Sequence, residues 1–158
     1  MILKLLNWIA SFRPVRRIED EHGDLYLLRI KLWGWMPGTT KHHRWSGYLH
    51  HFMRPDQDRA LHNHPWKWSF SIILAGGYVE ERQMEDGRID TRYLRPGTIN
   101  ILGPENFHRI TELHGKETWT LFIAGPKYKS WGFLDAERGF VGYRDRFAER
   151  GIILPAGT

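Results

Sequence analysis

The sequence predicts an all-β fold, a sandwich or barrel of about eight or more short strands preceded by a short helix. Three observations lead there. Short apolar and aromatic runs recur at steady spacing from residue 25 to residue 124, and no long helical period interrupts them. Gly, Pro, Asn or Asp punctuates nearly every gap between those runs. Aromatic residues make up 14% of the chain, with eight Trp, and such flat side chains suit sheet interiors and pocket walls.

The elements follow in order. In Met1 to Ala10, Leu3, Leu6 and Ile9 with Leu5 form a one-sided stripe at helical spacing. The segment is too short to span a bilayer. Arg13, Arg16 and Arg17 follow it instead of preceding it, and no small-residue cleavage site appears, so it does not read as a secretory signal. It is expected to pack on the barrel or on a second subunit in preference to a membrane surface. After Pro14 the pattern turns to strand. Leu25 to Trp33 ends at Gly34, and Pro37-Gly38 marks a turn. Trp45 to Met53 is stopped by Arg54-Pro55-Asp56. Leu61 to His64 and Trp66 to Leu74 are divided by Pro65. Tyr78 to Arg82 and Ile89 to Leu94 flank Glu85-Asp86-Gly87, a hairpin signal. Thr98 to Leu102, Phe107 to Leu113 and Thr118 to Ala124 complete the series before Gly125-Pro126 turns the chain again.

With 158 residues, 41% of them apolar, the chain supports one core. A single domain is expected over residues 1–158, with a helical segment at 1–12 and a barrel at 24–145. There is no Cys, which excludes disulfides and thiolate metal sites and fits a reducing, cytoplasmic setting. The net charge is +5 and the sequence pI about 9.6, a balance that favours anionic ligands such as phosphates, nucleotides or carboxylates. The basic residues are scattered apart from Arg13, Arg16 and Arg17, and no nucleic-acid-binding pattern is present, so nucleic acid is not an expected partner.

Nine His is a high count, and the informative stretch is Leu61-His62-Asn63-His64-Pro65-Trp66. Residues two apart in a strand face one side, so His62 and His64 present two imidazoles to one point. Alone, such a pair is equally two packing or surface histidines. The surrounding residues resemble the cupin superfamily, whose first motif reads G-x5-H-x-H-x3,4-E-x6-G. His62 and His64 fill its His places and Gly76 its closing Gly; Asp56 stands at the opening Gly and Ser69 at the Glu. The second motif reads G-x5-P-x-G-x2-H-x3-N. Gly97 opens it and His108 has the spacing of its His; Pro104 and Asn106 each fall one place late, and Glu112 takes the Asn place. The likeness covers the middle third to half of the chain.

The resemblance implies a cupin-type jelly-roll barrel like those of the small single-domain, dTDP-sugar-epimerase-like members. It implies a divalent metal on His62, His64 and His108. Ser69 is a neutral hydroxyl and a poor ligand, which leaves three neutral imidazoles and the ion's full charge. Fe, Zn, Ni and Mn all suit such a donor set. Two functions stay open. One is a metal-dependent dioxygenase or isomerase acting on a small anionic substrate. The other is a non-catalytic cup that binds or sequesters a nucleotide or sugar phosphate. The missing Glu and the basic balance weigh toward the second. A barrel whose histidines have no ligand role is the weakest reading. Small cupins often pair by their sheets, so a homodimer is expected, and the apolar N-terminal segment and the many Trp agree with it.

Arg92 and Arg109, with Tyr78, Glu80 and Trp66, are expected to orient an anionic substrate near the three His. Trp68 and Trp119 are further wall candidates, although core packing is the commoner role for a Trp. Of His50 and His51, one faces inward. Arg54 to Arg59 reads as a polar loop, alternatively as part of the barrel mouth. His22, His42, His43 and His114 fall in or near predicted turns and are expected at the surface.

Overall fold

Nothing in Leu25–Trp33 breaks an extended chain, and Gly34, at φ +87°, ends it; this nine-residue strand is the longest among the described residues. The computed structural model describes residues 1–19, 23–34, 44–56, 58 and 60–152. Pro37-Gly38, His22, His42, His43, Gln57 and Arg59 lie outside the described residues. The elements are α1 (Ile2–Ser11), β1 (Val15–Glu19), β2 (Leu25–Trp33), β3 (Ser46–Phe52), β4 (Leu61–His62), β5 (Ser69–Ala75) and β6 (Tyr78–Gln83). They continue with β7 (Ile89–Leu94), β8 (Ile99–Leu102), β9 (His108–Leu113), β10 (Thr118–Ala124), β11 (Gly132–Asp135), β12 (Gly139–Gly142) and α2 (Tyr143–Glu149).

The strands form two six-stranded antiparallel sheets, β1-β2-β3-β10-β5-β8 and β12-β11-β4-β9-β6-β7. This is the double-sheet jelly-roll arrangement expected from the short, evenly spaced strands. Between the sheets lies a core of Leu27, Phe52, Ile73, Tyr78, Leu94 and Ile110. Burying each such aliphatic side chain contributes about 1.5–3 kcal/mol. The first sheet is also apolar on its outer face. There Leu6 of α1 packs with Ile30, Leu49 and Trp119, and Ile30 and Trp119 are each only 1% exposed. Leu25–Trp33 is therefore largely apolar on both faces, broken by Arg29 and Lys31.

Several boundaries differ from expectation. β5 begins at Ser69, and Trp66 joins only an isolated bridge with Lys127. β4 ends at His62, three residues before Pro65. β1, β11, β12 and α2 were not anticipated as separate elements. α2 docks through Arg146, which reaches Asp58 at 3.0 Å and Asp135 at 2.8 Å, and through rings: Tyr143 stacks on Trp131 with centroids 4.9 Å apart.

Candidate metal centre

Two neighbouring strands bring the three histidines together. His62 closes β4 and pairs across the ladder with His108, the first residue of β9. Beyond β4 the chain is held by Asn63, which pairs with Gly132. The Asn63 N–H donates to the Gly132 carbonyl and its Oδ1 accepts the Gly132 N–H, both at 3.0 Å. His64, two residues on, thus returns its ring to the side of His62. His64 Nε2 and His108 Nε2 stand 2.8 Å apart, and one nitrogen from each of the three rings lies within 4.8 Å of the others. Two metal–nitrogen bonds of about 2.1 Å bridge at most about 4.2 Å, so His64 and His108 already fit a single ion.

Burial sets the protonation of this cluster. Loss of water pulls His62 down to about 4, opposed by Asp56 and aided by His108. Burial likewise holds His64 well below its ordinary value, with His108 and His62 adding to the effect. Both rings are neutral at pH 7 and carry a lone pair for a cation.

Two carboxylates stand behind the rings. His108 Nδ1 faces Glu80 Oε2 at 3.1 Å. An ionised carboxylate only accepts, so the hydrogen bond assigns the proton to Nδ1 and leaves the Nε2 lone pair toward His64. Asp56 Oδ2 lies 4.0 Å from His62 Nδ1, and it is fixed by the Ile110 N–H at 2.6 Å. Tyr26 also donates its hydroxyl to Asp56. Glu80 is wholly buried and accepts from Asn100 Nδ2 at 2.6 Å and Arg82 Nε at 2.9 Å. Burial pushes its carboxyl upward, but the hydrogen bond from His108, then Arg82 and Asn100, prevail and hold it at about 2.

The other anticipated residues take varied places. Trp66 stacks on His64, with centroids 5.3 Å apart, and walls the site. Tyr78 is in the core, where its hydroxyl accepts from Asn100 at 3.3 Å. Arg92 faces the interior behind His108, donating to Asn100 Oδ1 at 3.2 Å. Arg109 is not brought to the histidines: it follows inward-facing His108 and pairs with Glu81 at 2.7 Å on the outer side of the sheet. Trp119 packs beneath α1 with His51 stacked on it at 4.0 Å, and Trp68 is 40% exposed. Ser69 is buried with its hydroxyl toward the Leu102 carbonyl. His114 is exposed, as expected. Of the adjacent pair, His50 faces inward, stacked on Phe122 at 4.7 Å, and Arg29 donates to its Nε2 at 3.1 Å. Sequence reasoning passed over Arg29. Its only sequence signal is parity with Leu27.

Many solved structures share this architecture. HppE in its Fe(II) form superposes with a TM-score of 0.54 at 14% identity, over 72% of this chain and 57% of that one. Oxalate decarboxylase gives 0.53 at 16% identity, over 75% of this chain and 30% of that one. The fold is that of a cupin. A candidate mannose-6-phosphate isomerase from Ralstonia eutropha JMP134 gives 0.51 at 14% identity, over 63% of this chain and 84% of that cupin. This chain thus spans just over half the length of HppE. At these identities the likeness establishes the fold alone. No protein-family model matches the sequence, and no curated protein does. Among the described residues no helix is long and apolar enough to cross a membrane.

Proposed function

We propose that this cupin binds one divalent metal ion on His62, His64 and His108 and acts on a small anionic substrate as a dioxygenase or isomerase. The observation that carries the reading is the convergence of three ring nitrogens, two of them neutral by burial, with Glu80 fixing the third ring. An ion on three neutral imidazoles keeps its full positive charge and supplies Lewis-acid polarisation of a substrate oxygen. Nitrogen ligands suit Fe, Zn, Ni or Mn. HppE carries Fe(II), and the names of the other two neighbours speak of a sugar phosphate and of oxalate, both anions. The reading extends to a homodimer, supported by the exposed Leu5 and Trp8 on α1 and Phe12 just after it, and to a cytoplasmic setting, supported by the absence of Cys.

Metal analysis of the purified protein tests the site. About one ion per chain is expected, and a joint His62→Ala, His64→Ala variant should lose it. Unchanged metal content in that variant would remove the assignment. A metal-free wild-type protein that still binds small anions would favour the non-catalytic cup, the alternative that the +5 charge and Ser69 keep in play.

A further inference from the structure

One row across the inner face of the first sheet has unused binding capacity. Arg29, His50 and Thr120 stand side by side on β2, β3 and β10, in direct cross-strand register. Arg29 shares its face with core residue Leu27, two positions earlier, so its guanidinium enters the interior. There it spends Nε on His50 and lies against the rings of Tyr48 and Trp66, 5.5 and 6.0 Å from their centroids. Among the described residues no carboxylate pairs with it. Thr120 is fully buried, and among the described residues its Oγ1 has no hydrogen-bond partner. Trp66 and Phe122 connect this row to the metal centre, since both rings also contact His64.

We propose that the row Arg29–His50–Thr120 grips the oxyanion head of a small organic anion whose other end reaches the three histidines. With Nε committed to His50, the guanidinium presents its Nη1–Nη2 edge, a fork that matches two oxygens of a carboxylate or phosphate. The His50 ring acts as a spacer that fixes this fork. The Thr120 hydroxyl is a buried donor whose missing bond a ligand oxygen completes. The aromatic walls exclude water and strengthen the charge–charge attraction. Arg92, by contrast, is already engaged with Asn100, and Arg109 with Glu81. The proposal deepens the metal-site reading and rests on it for the far end of the ligand.

The test uses acetate, inorganic phosphate and neutral acetamide at constant ionic strength. Binding is read by calorimetric titration and thermal shift, on metal-free and metal-loaded full-length protein. At least one oxyanion should stabilise the wild type and acetamide should not; the acetate and phosphate arms separate a carboxylate head from a phosphate head. Arg29→Gln should weaken binding about tenfold or more, and Arg29→Lys less. Thr120→Val should move two quantities in opposite directions. It should raise the melting temperature of the ligand-free protein, because a buried orphan hydroxyl is removed, and weaken the anion about fivefold. Wild-type affinity in both Arg29→Lys and Thr120→Val overturns the proposal even if Arg29→Gln fails to fold, and equal stabilisation by acetamide overturns it too. Arg29→Gln must also keep its metal, since loss would mean that its effect runs through the histidines. A wild type without metal strikes the metal reading, while the metal-free titrations still decide the row.

Discussion

Replacing Glu80 with Gln isolates the carboxylate behind His108. Oε2 accepts from Asn100 and His108, and Oε1 accepts from Arg82, so every lone pair in use faces a donor. A Gln amide turns one of those oxygens into a donor, and neither orientation satisfies the set. Facing Arg82, the new NH2 meets a guanidinium. Facing Asn100, it forces that amide to flip, and Asn100 Oδ1 would lose its hydrogen bonds from Arg82 at 2.6 Å and Arg92 at 3.2 Å. The pair is shielded, with side-chain exposures of 0% for Glu80 and 11% for Arg82. Breaking such a pair costs about 3–5 kcal/mol, of which the amide's remaining hydrogen bond returns about 1. A loss of about 3 kcal/mol lowers the melting temperature of a domain this size by about 6–12 °C. The metal term is separate: freeing the His108 tautomer weakens metal affinity by about 10- to 100-fold. Thermal unfolding of metal-free protein measures the first term and chelator competition the second. A variant within about 1 kcal/mol of wild type that also binds metal within about threefold would refute the role assigned to this network.

Acid should unlock the C-terminal helix. Burial raises the Asp58 carboxyl, but hydrogen bonds from Arg146 and Ala60, and the Arg150 charge, outweigh it and leave a net lowered value. Its stabilisation is therefore complete above the ordinary value of 3.8 and is lost as pH falls through the lowered one; Asp58→Asn should flatten the acid limb of a stability–pH curve, and an unchanged limb would exclude the pair as its source. Trp8 and Phe12 are 62% and 71% exposed, and Trp8→Glu with Phe12→Glu should shift the protein from dimer to monomer in light scattering without changing its circular dichroism. A wild type already monomeric at micromolar concentration contradicts the dimer. Gly76 sits at φ +76° against the Glu117 carbonyl and Thr118 Oγ1, so Gly76→Ala should cost about 1–3 kcal/mol in denaturant unfolding.

Much of the barrel was legible because turn residues bound its strands. Leu25–Trp33, Ile89–Leu94 and Thr118–Ala124 have the ends that the sequence predicts. β11 and β12 escaped notice because each is four residues long and starts at a glycine, too short for alternation to register. α2 offers only Tyr143 and Phe147 as an apolar i, i+4 pair, half a helical signature. At the site, the motif spacing located the three histidines but not their surroundings. Glu80 was visible as an anion-orienting candidate, yet its contact with His108 spans 28 residues and depends on the β6–β9 register. Arg29 was hidden because its strand is apolar on both faces, so no periodicity revealed which way it points. For Arg109 the same rule was available: one step from an inward histidine is outward.

β4 contributes two residues to the ladder and ends on a metal-site histidine. Its backbone is held like a splint between β9, through His62 and His108, and β11, through His62 and Phe133. β11 in turn pairs with β12 and lies against α2. The spacing of the histidines is thus set from the far end of the chain. By reciprocity, whatever free energy an ion gains from a correctly seated β4, the docked C-terminal segment gains from the ion. Filling the site would fasten the segment from Gly132 to Glu149, and peeling that segment away would open the site.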